Sequence, residues 1–133
     1  MARIFLDANV LFSAAYREGA GLLRLWKARD TEVLTSGYAA EEARRNLETE
    51  EARLRLGSLL RKTRLVAEAP ATRLPDSIRI AEKDHPILQA AVAAGATHLI
   101  TGDLRDFGTL FGTRVAGVRI ETPAEYLRRQ AKR

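Results

Sequence analysis

The chain has 133 residues, of which 46% are hydrophobic and 29% are charged, and its formal net charge is +5. This length predicts a single domain over residues 1–133, large enough to bury its own core. The absence of cysteine excludes a disulfide framework, a thiolate zinc site and a cysteine nucleophile. The apolar runs are too short to predict a membrane span or a signal peptide, so we expect a soluble, cytoplasmic protein without membrane contact.

The positive charge comes mainly from arginine, which supplies 18 of the 22 basic residues. Arginine presents a planar fork that suits phosphate groups, so the composition is compatible with nucleic-acid binding. A genome rich in G and C raises arginine and alanine content in the same way. Composition alone therefore leaves both explanations open.

The first half of the chain predicts short strands that alternate with helices. In chain order these are a strand at 3–6, a helical segment from Val10 that breaks near Gly19, a helix at 21–29, a strand at 32–35 and a helical region at 38–62. Five leucines supply the predicted buried stripe of that last region: Leu47, Leu54, Leu56, Leu59 and Leu60. Gly57 is the candidate break within it.

The second half continues the alternation. It predicts a short apolar run at 65–67, a loop at 70–75, a helix at 87–94, a strand at 98–101, a last strand at 115–120 and a final helix from Pro123 into the basic tail 128–133. Gly95 stands where a helix C-cap is expected. Strands that alternate with helices predict an α/β domain with a mainly parallel sheet.

Acidic residues stand where the predicted strands end. Asp7 directly follows the first strand, and Asp103 follows a later strand, with Asp106 one turn further on. Asp84 begins the helix that leads into that later strand, and Glu42 lies early in the helix after the second strand. Because ligands of open α/β sheets bind beyond the carboxyl ends of the strands, we expect these carboxylates to converge.

Converging carboxylates have a chemical consequence. Two of them about 4 Å apart repel by roughly 4 kcal/mol at an effective dielectric constant of 20. Such a cluster therefore requires protonation or a bound cation. A ligand set of carboxylate oxygens without histidine or cysteine suits Mg²⁺ or Mn²⁺ rather than zinc. Because Mg²⁺ shares its coordination with phosphates, the pattern indicates a metal-activated water beside a phosphodiester.

Each of these residues also has a purely structural interpretation. The structural roles are a helix cap for Asp7, Asn9, Asp84 or Asp106, a turn for Asp103 and a surface ion pair with a neighbouring arginine for Glu42. The histidines are weaker candidates, because His98 fits a packed strand residue and His85 a solvated helix start. The case for a site therefore depends on convergence at one edge of the sheet.

Four segments carry motifs with a known counterpart. They are LDANVL at 6–11, Glu42 five residues before Leu47, KDHPILQAA at 83–91 and TGDLRDF at 101–107. Together they resemble the motifs of PIN-domain ribonucleases, in particular the VapC-like toxins and small stand-alone PIN proteins. The resemblance runs from about residue 4 to residue 127. Glu41 and Glu42 are adjacent, so either could be the second acid of the family, and the spacing to Leu47 favours Glu42.

The resemblance implies a three-layer α/β/α sandwich with a mainly parallel central sheet and an endonuclease that uses Mg²⁺ or Mn²⁺ to cleave RNA. The implied catalytic acids are Asp7, Glu42, Asp84 and Asp103, of which Asp7, Asp84 and Asp103 bind the metal. The implied supporting residues are Asn9 and Thr101, which hold the pocket by hydrogen bonds, and Asp106. A homodimer and a small antitoxin partner are also implied. Four arginines near the acidic motifs in sequence are candidate phosphate contacts: Arg17, Arg44, Arg45 and Arg105.

Three other functions remain open at this level. The first is a stand-alone RNA-processing nuclease, because the Thr101-Gly102-Asp103 motif also occurs in PIN proteins not known as toxins. The second is a binding module that keeps the fold with a silent site. The third is a phosphoacceptor domain of receiver type, which is disfavoured because Asp7 is followed by Ala8 and Asn9 rather than by a second acid.

Overall fold

The computed structural model describes residues 1–131 of the chain. The strands are β1 (Ala2–Leu6), β2 (Thr31–Ser36), β3 (Arg64–Val66), β4 (His98–Ile100), β5 (Arg114–Val115) and β6 (Val118–Glu121). They form one sheet in the order β3-β2-β1-β4-β6-β5. All neighbouring strands are parallel except β5 and β6, which are antiparallel. The prediction of a mainly parallel sheet is confirmed.

Helices cover both faces of this sheet. They are α1 (Ala8–Ala15), α2 (Gly37–Asn46), α3 (Glu50–Arg61), α4 (His85–Ala93), α5 (Leu104–Phe107) and α6 (Pro123–Ala131), with short 3-10 helices at Gly21–Trp26, Glu82–Asp84 and Gly108–Leu110. The result is the predicted three-layer α/β/α sandwich. No helix within residues 1–131 has the length and apolar character needed to cross a membrane.

The core lies against the two central strands. Ile4, Phe5 and Leu6 of β1 are fully buried, as are Leu99 and Ile100 of β4. These residues form continuous apolar runs rather than an alternating pattern, because helices cover the strands from both sides. The sheet edge that follows these two strands is therefore anchored in the best-packed part of the molecule.

The helical region predicted at 38–62 is two helices rather than one. Leu47 leaves the helical conformation after α2, and the hydroxyl of Thr49 accepts a hydrogen bond from the backbone of Ala52, which starts α3. A threonine N-cap of this kind defines a helix start. The break predicted at Gly57 is wrong, because Gly57 lies inside α3. Leu54 also departs from the predicted stripe, since 64% of it is exposed.

Two other predicted elements differ from the structure. The strand predicted at 115–120 is a hairpin of β5 and β6, whose turn residues Ala116 and Gly117 both have positive φ. The helix predicted at 21–29 is a 3-10 helix that ends at Trp26. Gly95 does follow α4 in the left-handed conformation, with φ of +69°, as predicted. In the predicted basic tail, residues 132 and 133 lie outside the described part of the chain.

A buried carboxylate attaches α6 to the sheet. Only 3% of Glu121 is exposed, and its Oε2 atom lies 2.6 Å from Nε of Arg129 and 3.3 Å from Nε of Arg119. The Nε2 atom of His98 lies 3.6 Å from Oε1 of Glu121, and the His98 ring packs edge-on against Tyr126 of α6. His98 is therefore a half-buried packing residue, as its strand position predicts.

We expect Glu121→Gln to lower the free energy of unfolding by about 2 kcal/mol, because glutamine keeps the shape but no longer balances two arginines. Urea denaturation measures the change. The matched control is Glu125→Gln, which breaks an exposed ion pair with Arg128 and should shift stability by less than about 0.5 kcal/mol. Equal effects of the two substitutions would contradict a stabilising role for the buried cluster.

Candidate metal centre

The strand order changes direction between β1 and β4. The chain runs outward from β1 through β2 to β3 and then returns to the other side of β1 as β4. The crevice beyond the carboxyl ends of two such strands is the usual ligand site of an open α/β sheet. Asp7 follows β1, and Asp103 stands three residues after the last residue of β4. Asp84 precedes α4, which leads back into β4, and the structure places its side chain close to those of Asp7, Asp103 and Asp106.

Asp7 is held by three hydrogen bonds. Only 4% of it is exposed, and its Oδ1 atom accepts from the backbone N–H of Ala8 at 2.7 Å, so that it caps α1. Its Oδ2 atom accepts from the Thr101 hydroxyl at 2.8 Å and from the Asn9 amide at 3.2 Å. The capping role and the position at the sheet edge thus coexist in one carboxylate.

Asn9 and Thr101 connect the ends of β1 and β4. The Asn9 side-chain oxygen accepts from the backbone N–H of Gly102 at 2.8 Å, and the Thr101 oxygen accepts from the backbone N–H of Asp103 at 3.1 Å. A Cβ atom at Gly102 would lie 3.3 Å from the Asn9 oxygen, which is a tight contact. The glycine therefore allows the loop after β4 to approach Asn9 closely.

Three carboxylates form the most compact acidic group. One oxygen each from Asp84, Asp103 and Asp106 lies within 4.8 Å of the other two. Asp84 is 6% exposed, and its buried Oδ2 atom has no hydrogen-bond partner among the described residues. The helix-cap role considered for Asp84 is not observed, because its side chain makes no hydrogen bond to the start of α4. Asp103, in contrast, caps α5 by accepting a hydrogen bond from the backbone N–H of Asp106. We call Asp84, Asp103 and Asp106 the carboxylate triad.

The electrostatics of the site reflect this crowding. Burial, a hydrogen bond to Asp106 and the charges of Asp7 and Asp106 together raise the pKa of Asp84 to about 7, and burial contributes most. Burial likewise raises the pKa of Asp7, against the opposing hydrogen bonds from Thr101 and Ala8. The charges of Glu42 and Asp103 add to the rise at Asp7. Asp7, Glu42 and the triad therefore interact electrostatically, and we call these five residues together the acidic group.

The two adjacent glutamates of α2 have different surroundings. Glu41 is exposed and forms an ion pair with Arg44 at 2.6 Å. Glu42 is half-buried, and its charge raises the pKa of Asp7. The geometry therefore favours Glu42 over Glu41 as a member of the acidic group.

The four candidate phosphate contacts are not equally placed. Arg17 lies beyond the far end of α1, which separates it from Asp7 by about 12 Å at 1.5 Å per residue, so its closeness in sequence does not persist in space. Arg44 is engaged with Glu41, and Arg45 is exposed on α2. Arg105 is exposed on α5 and lies between Asp103 and Asp106 in the sequence.

Two features of the site differ from the sequence-based expectation. The motifs predict only a supporting role for Asp106, yet it lies in the triad, and its spacing of three residues from Asp103 is the signal in the sequence. Lys83 appears in the sequence only as the first residue of the segment 83–91, whereas in the structure its Nζ atom lies 3.4 Å from Oδ2 of Asp106. Its position next to Asp84 in the sequence was the only hint.

The acidic group fits a hard divalent cation. Its donors are carboxylate oxygens, which Mg²⁺ and Mn²⁺ prefer. The unpaired, buried Oδ2 atom of Asp84 is the kind of acceptor that a cation satisfies. A cavity of about 870 Å³ lies elsewhere, at the opposite edge of the sheet beside the first residues of β1 and β4, and includes none of these acids.

The fold and the acidic group define a three-layer α/β protein with a candidate metal centre at its topological switch point. Comparison with protein families makes this specific: a PIN domain model matches residues 3–105, and the chain belongs to this family. The resemblance stated from the sequence motifs is thereby confirmed.

A solved structure supports the same fold. The chain is similar to a chain in the crystal structure of VapBC2 from Rickettsia felis bound to a DNA fragment from their promoter, with a TM-score of 0.62 and 16% sequence identity. The similarity covers 90% of this chain and 98% of that chain. A comparison with curated proteins gave no match.

Proposed function

We propose that this protein is a divalent-metal-dependent endoribonuclease that hydrolyses RNA phosphodiester bonds and acts as the toxin of a toxin–antitoxin pair. The observation that carries the proposal is the carboxylate triad with its buried, unpaired Asp84 oxygen, placed at the switch point of a PIN domain. Proteins of this family are generally nucleases, and the net positive charge of the chain suits a polyanionic substrate.

Asp7, Asp84 and Asp103 would hold Mg²⁺ or Mn²⁺, with Asp106 as a further carboxylate beside them. When bound, the ion supplies an acidified water and offsets negative charge on the reacting phosphate. Thr101 and Asn9 fix the orientation of Asp7 by their hydrogen bonds, so that this ligand is arranged before the ion arrives.

The remaining residues act on the water and the substrate. Glu42 is half-buried, and its charge acts on that of Asp7. This position suits Glu42 to orient the attacking water and to accept the proton of that water. Arg105, exposed on α5 between Asp103 and Asp106 in the sequence, is the best placed of the candidate arginines to contact a flanking phosphate.

The likeness to the VapBC2 chain supports the toxin role and the antitoxin partner. The proposed assembly also includes a homodimer. Leu54 on α3 and Tyr16 after α1, both largely exposed, offer apolar surface for protein contacts. A small gene directly upstream, whose product suppresses cleavage, would distinguish a toxin from a stand-alone nuclease.

We expect purified protein to cleave end-labelled single-stranded RNA when Mg²⁺ or Mn²⁺ is present, and to lose this activity in EDTA. The same ions should raise the melting temperature, because they bind the folded acidic group. Gel analysis of the RNA and thermal denaturation measure the two effects. Cleavage that persists in EDTA would contradict the metal role, and the absence of both effects would indicate a silent binding module.

A further inference from the structure

Lys83 is a basic residue that contacts the acidic group. Within residues 1–131 it is the only basic side chain that forms an ion pair with the carboxylate triad, through Asp106 at 3.4 Å. Its charge also acts on Asp84, and the carboxylates in turn raise its own pKa, through the hydrogen bond to Asp106 first. Nothing in the proposed chemistry above uses this lysine.

The backbone and the side chain of Lys83 are held differently. The Tyr38 hydroxyl of α2 donates a hydrogen bond to the Lys83 carbonyl at 3.0 Å, within the 3-10 helix Glu82–Asp84. The side chain, by contrast, is 63% exposed and has Asp106 as its ion-pair partner. The anchored backbone keeps the ammonium group at the rim of the site, while the flexible four-carbon stem allows it to change partner.

A divalent cation competes with this ion pair. If Lys83 stayed paired while the ion bound, the Asp106 carboxylate would be shared between the ammonium group and a doubly charged ion. The two cations would repel each other at such a short distance. Binding of the ion to the triad therefore favours release of Lys83 from Asp106. The released ammonium group remains tethered next to Asp84 at the rim of the site, where it can contact a phosphate of the substrate that approaches the ion.

We infer that Lys83 has two alternating partners: the Asp106 carboxylate when no metal is bound, and an RNA phosphate when the metal occupies the triad. In the first state it offsets repulsion among the acids, and in the second it is a substrate-binding residue. The second state rests on the proposed function, whereas the first concerns the metal-free protein alone.

Lys83→Met tests the first state, because methionine preserves much of the stem and removes the charge. Calorimetric titration with Mn²⁺ in the absence of RNA should show about fivefold tighter binding than the wild type, since the competing cation is gone. Lys62→Met is the matched control, because Lys62 is an exposed lysine at the end of α3, and it should leave the Mn²⁺ affinity unchanged. Unchanged or weaker Mn²⁺ binding by Lys83→Met would overturn the inference for the metal-free protein.

The RNA-cleavage kinetics test the second state. At saturating Mn²⁺, Lys83→Met should raise KM for single-stranded RNA about tenfold with a smaller change in kcat, and Lys83→Arg should restore KM. A KM equal to that of the wild type would overturn the phosphate contact. A wild-type protein that binds no Mn²⁺ would instead contradict the proposed function, so the two failures are distinguishable.

Discussion

Asp7→Asn is expected to reduce metal-dependent RNA cleavage by at least about 100-fold while leaving the protein folded. The loss follows because a neutral amide is a poor ligand for a hard divalent ion and because the charge that balances the ion is removed. Initial rates on single-stranded RNA with Mg²⁺ and with Mn²⁺ measure the effect.

The fold should survive because asparagine can form two of the three local hydrogen bonds and loses only the one from the Asn9 amide. Its side-chain oxygen can accept from the backbone N–H of Ala8, and its amide can donate to the Thr101 oxygen. Since burial raises the pKa of Asp7, removing this charge should also increase metal-free stability at neutral pH. The control is Asp76→Asn, an exposed aspartate paired with Arg73, which should retain full activity. Activity of Asp7→Asn close to that of the wild type would refute the assignment of this residue.

Asp84→Asn should stabilise the metal-free protein at alkaline pH and remove its response to metal. The pKa of Asp84 is 3.8 in its ordinary state and about 7 in the folded chain. Between these values the folded protein binds more protons than the unfolded chain, so the free energy of unfolding falls as pH rises from about 4 to 7. Asparagine at this position does not titrate and escapes that loss.

The expected gain for Asp84→Asn is about 2 kcal/mol at pH 8, since a three-unit shift amounts to about 4 kcal/mol and part of it is offset by the lowered pKa of Asp106. Thermal denaturation in EDTA at pH 5 and pH 8 measures it, with a clear difference from the wild type at pH 8 and a small one at pH 5. Addition of Mn²⁺ at pH 8 should raise the melting temperature of the wild type but not of the variant. A variant less stable than the wild type at pH 8 would show that Asp84 has a structural role.

The sequence predicted the sheet and the acids at the ends of its strands because both depend on short local patterns, in which an apolar strand is followed by an acidic residue. Asp7 and Asp103 interrupt apolar strands at fixed points, and a parallel sheet brings such points to one edge. The division between α2 and α3 is not evident from the sequence, because the leucine spacing is compatible with one continuous helix. The structure shows that the chain leaves α2 at Leu47 and that Thr49 then caps the start of α3. The β5–β6 hairpin is not evident from the sequence, because residues 115–120 form one short apolar run with a single glycine, Gly117, as the only turn signal.

Contacts between elements were beyond sequence reasoning. The pairing of Lys83 with Asp106 depends on how the 3-10 helix before α4 lies against α5, and no spacing in the chain encodes that distance. The same holds for Arg17, which follows Asn9 closely in sequence but is carried away by the length of α1. The spacing to Leu47 favours Glu42 over Glu41, and the structure adds the reason, since Glu41 pairs with Arg44 whereas the charge of Glu42 acts on Asp7.

The Thr101 hydroxyl, which donates to Asp7 and accepts from the backbone of Asp103, gives the acidic group a rigid internal spacing. Acids held in this way cannot separate to relieve their repulsion, so the apolar strands behind them must maintain the arrangement until an ion arrives. Ion binding and folding are then thermodynamically linked, and each tenfold rise in free ion concentration above the dissociation constant adds about 1.4 kcal/mol of stability. The lifetime of the protein against proteolysis would accordingly follow the supply of divalent ions in its surroundings.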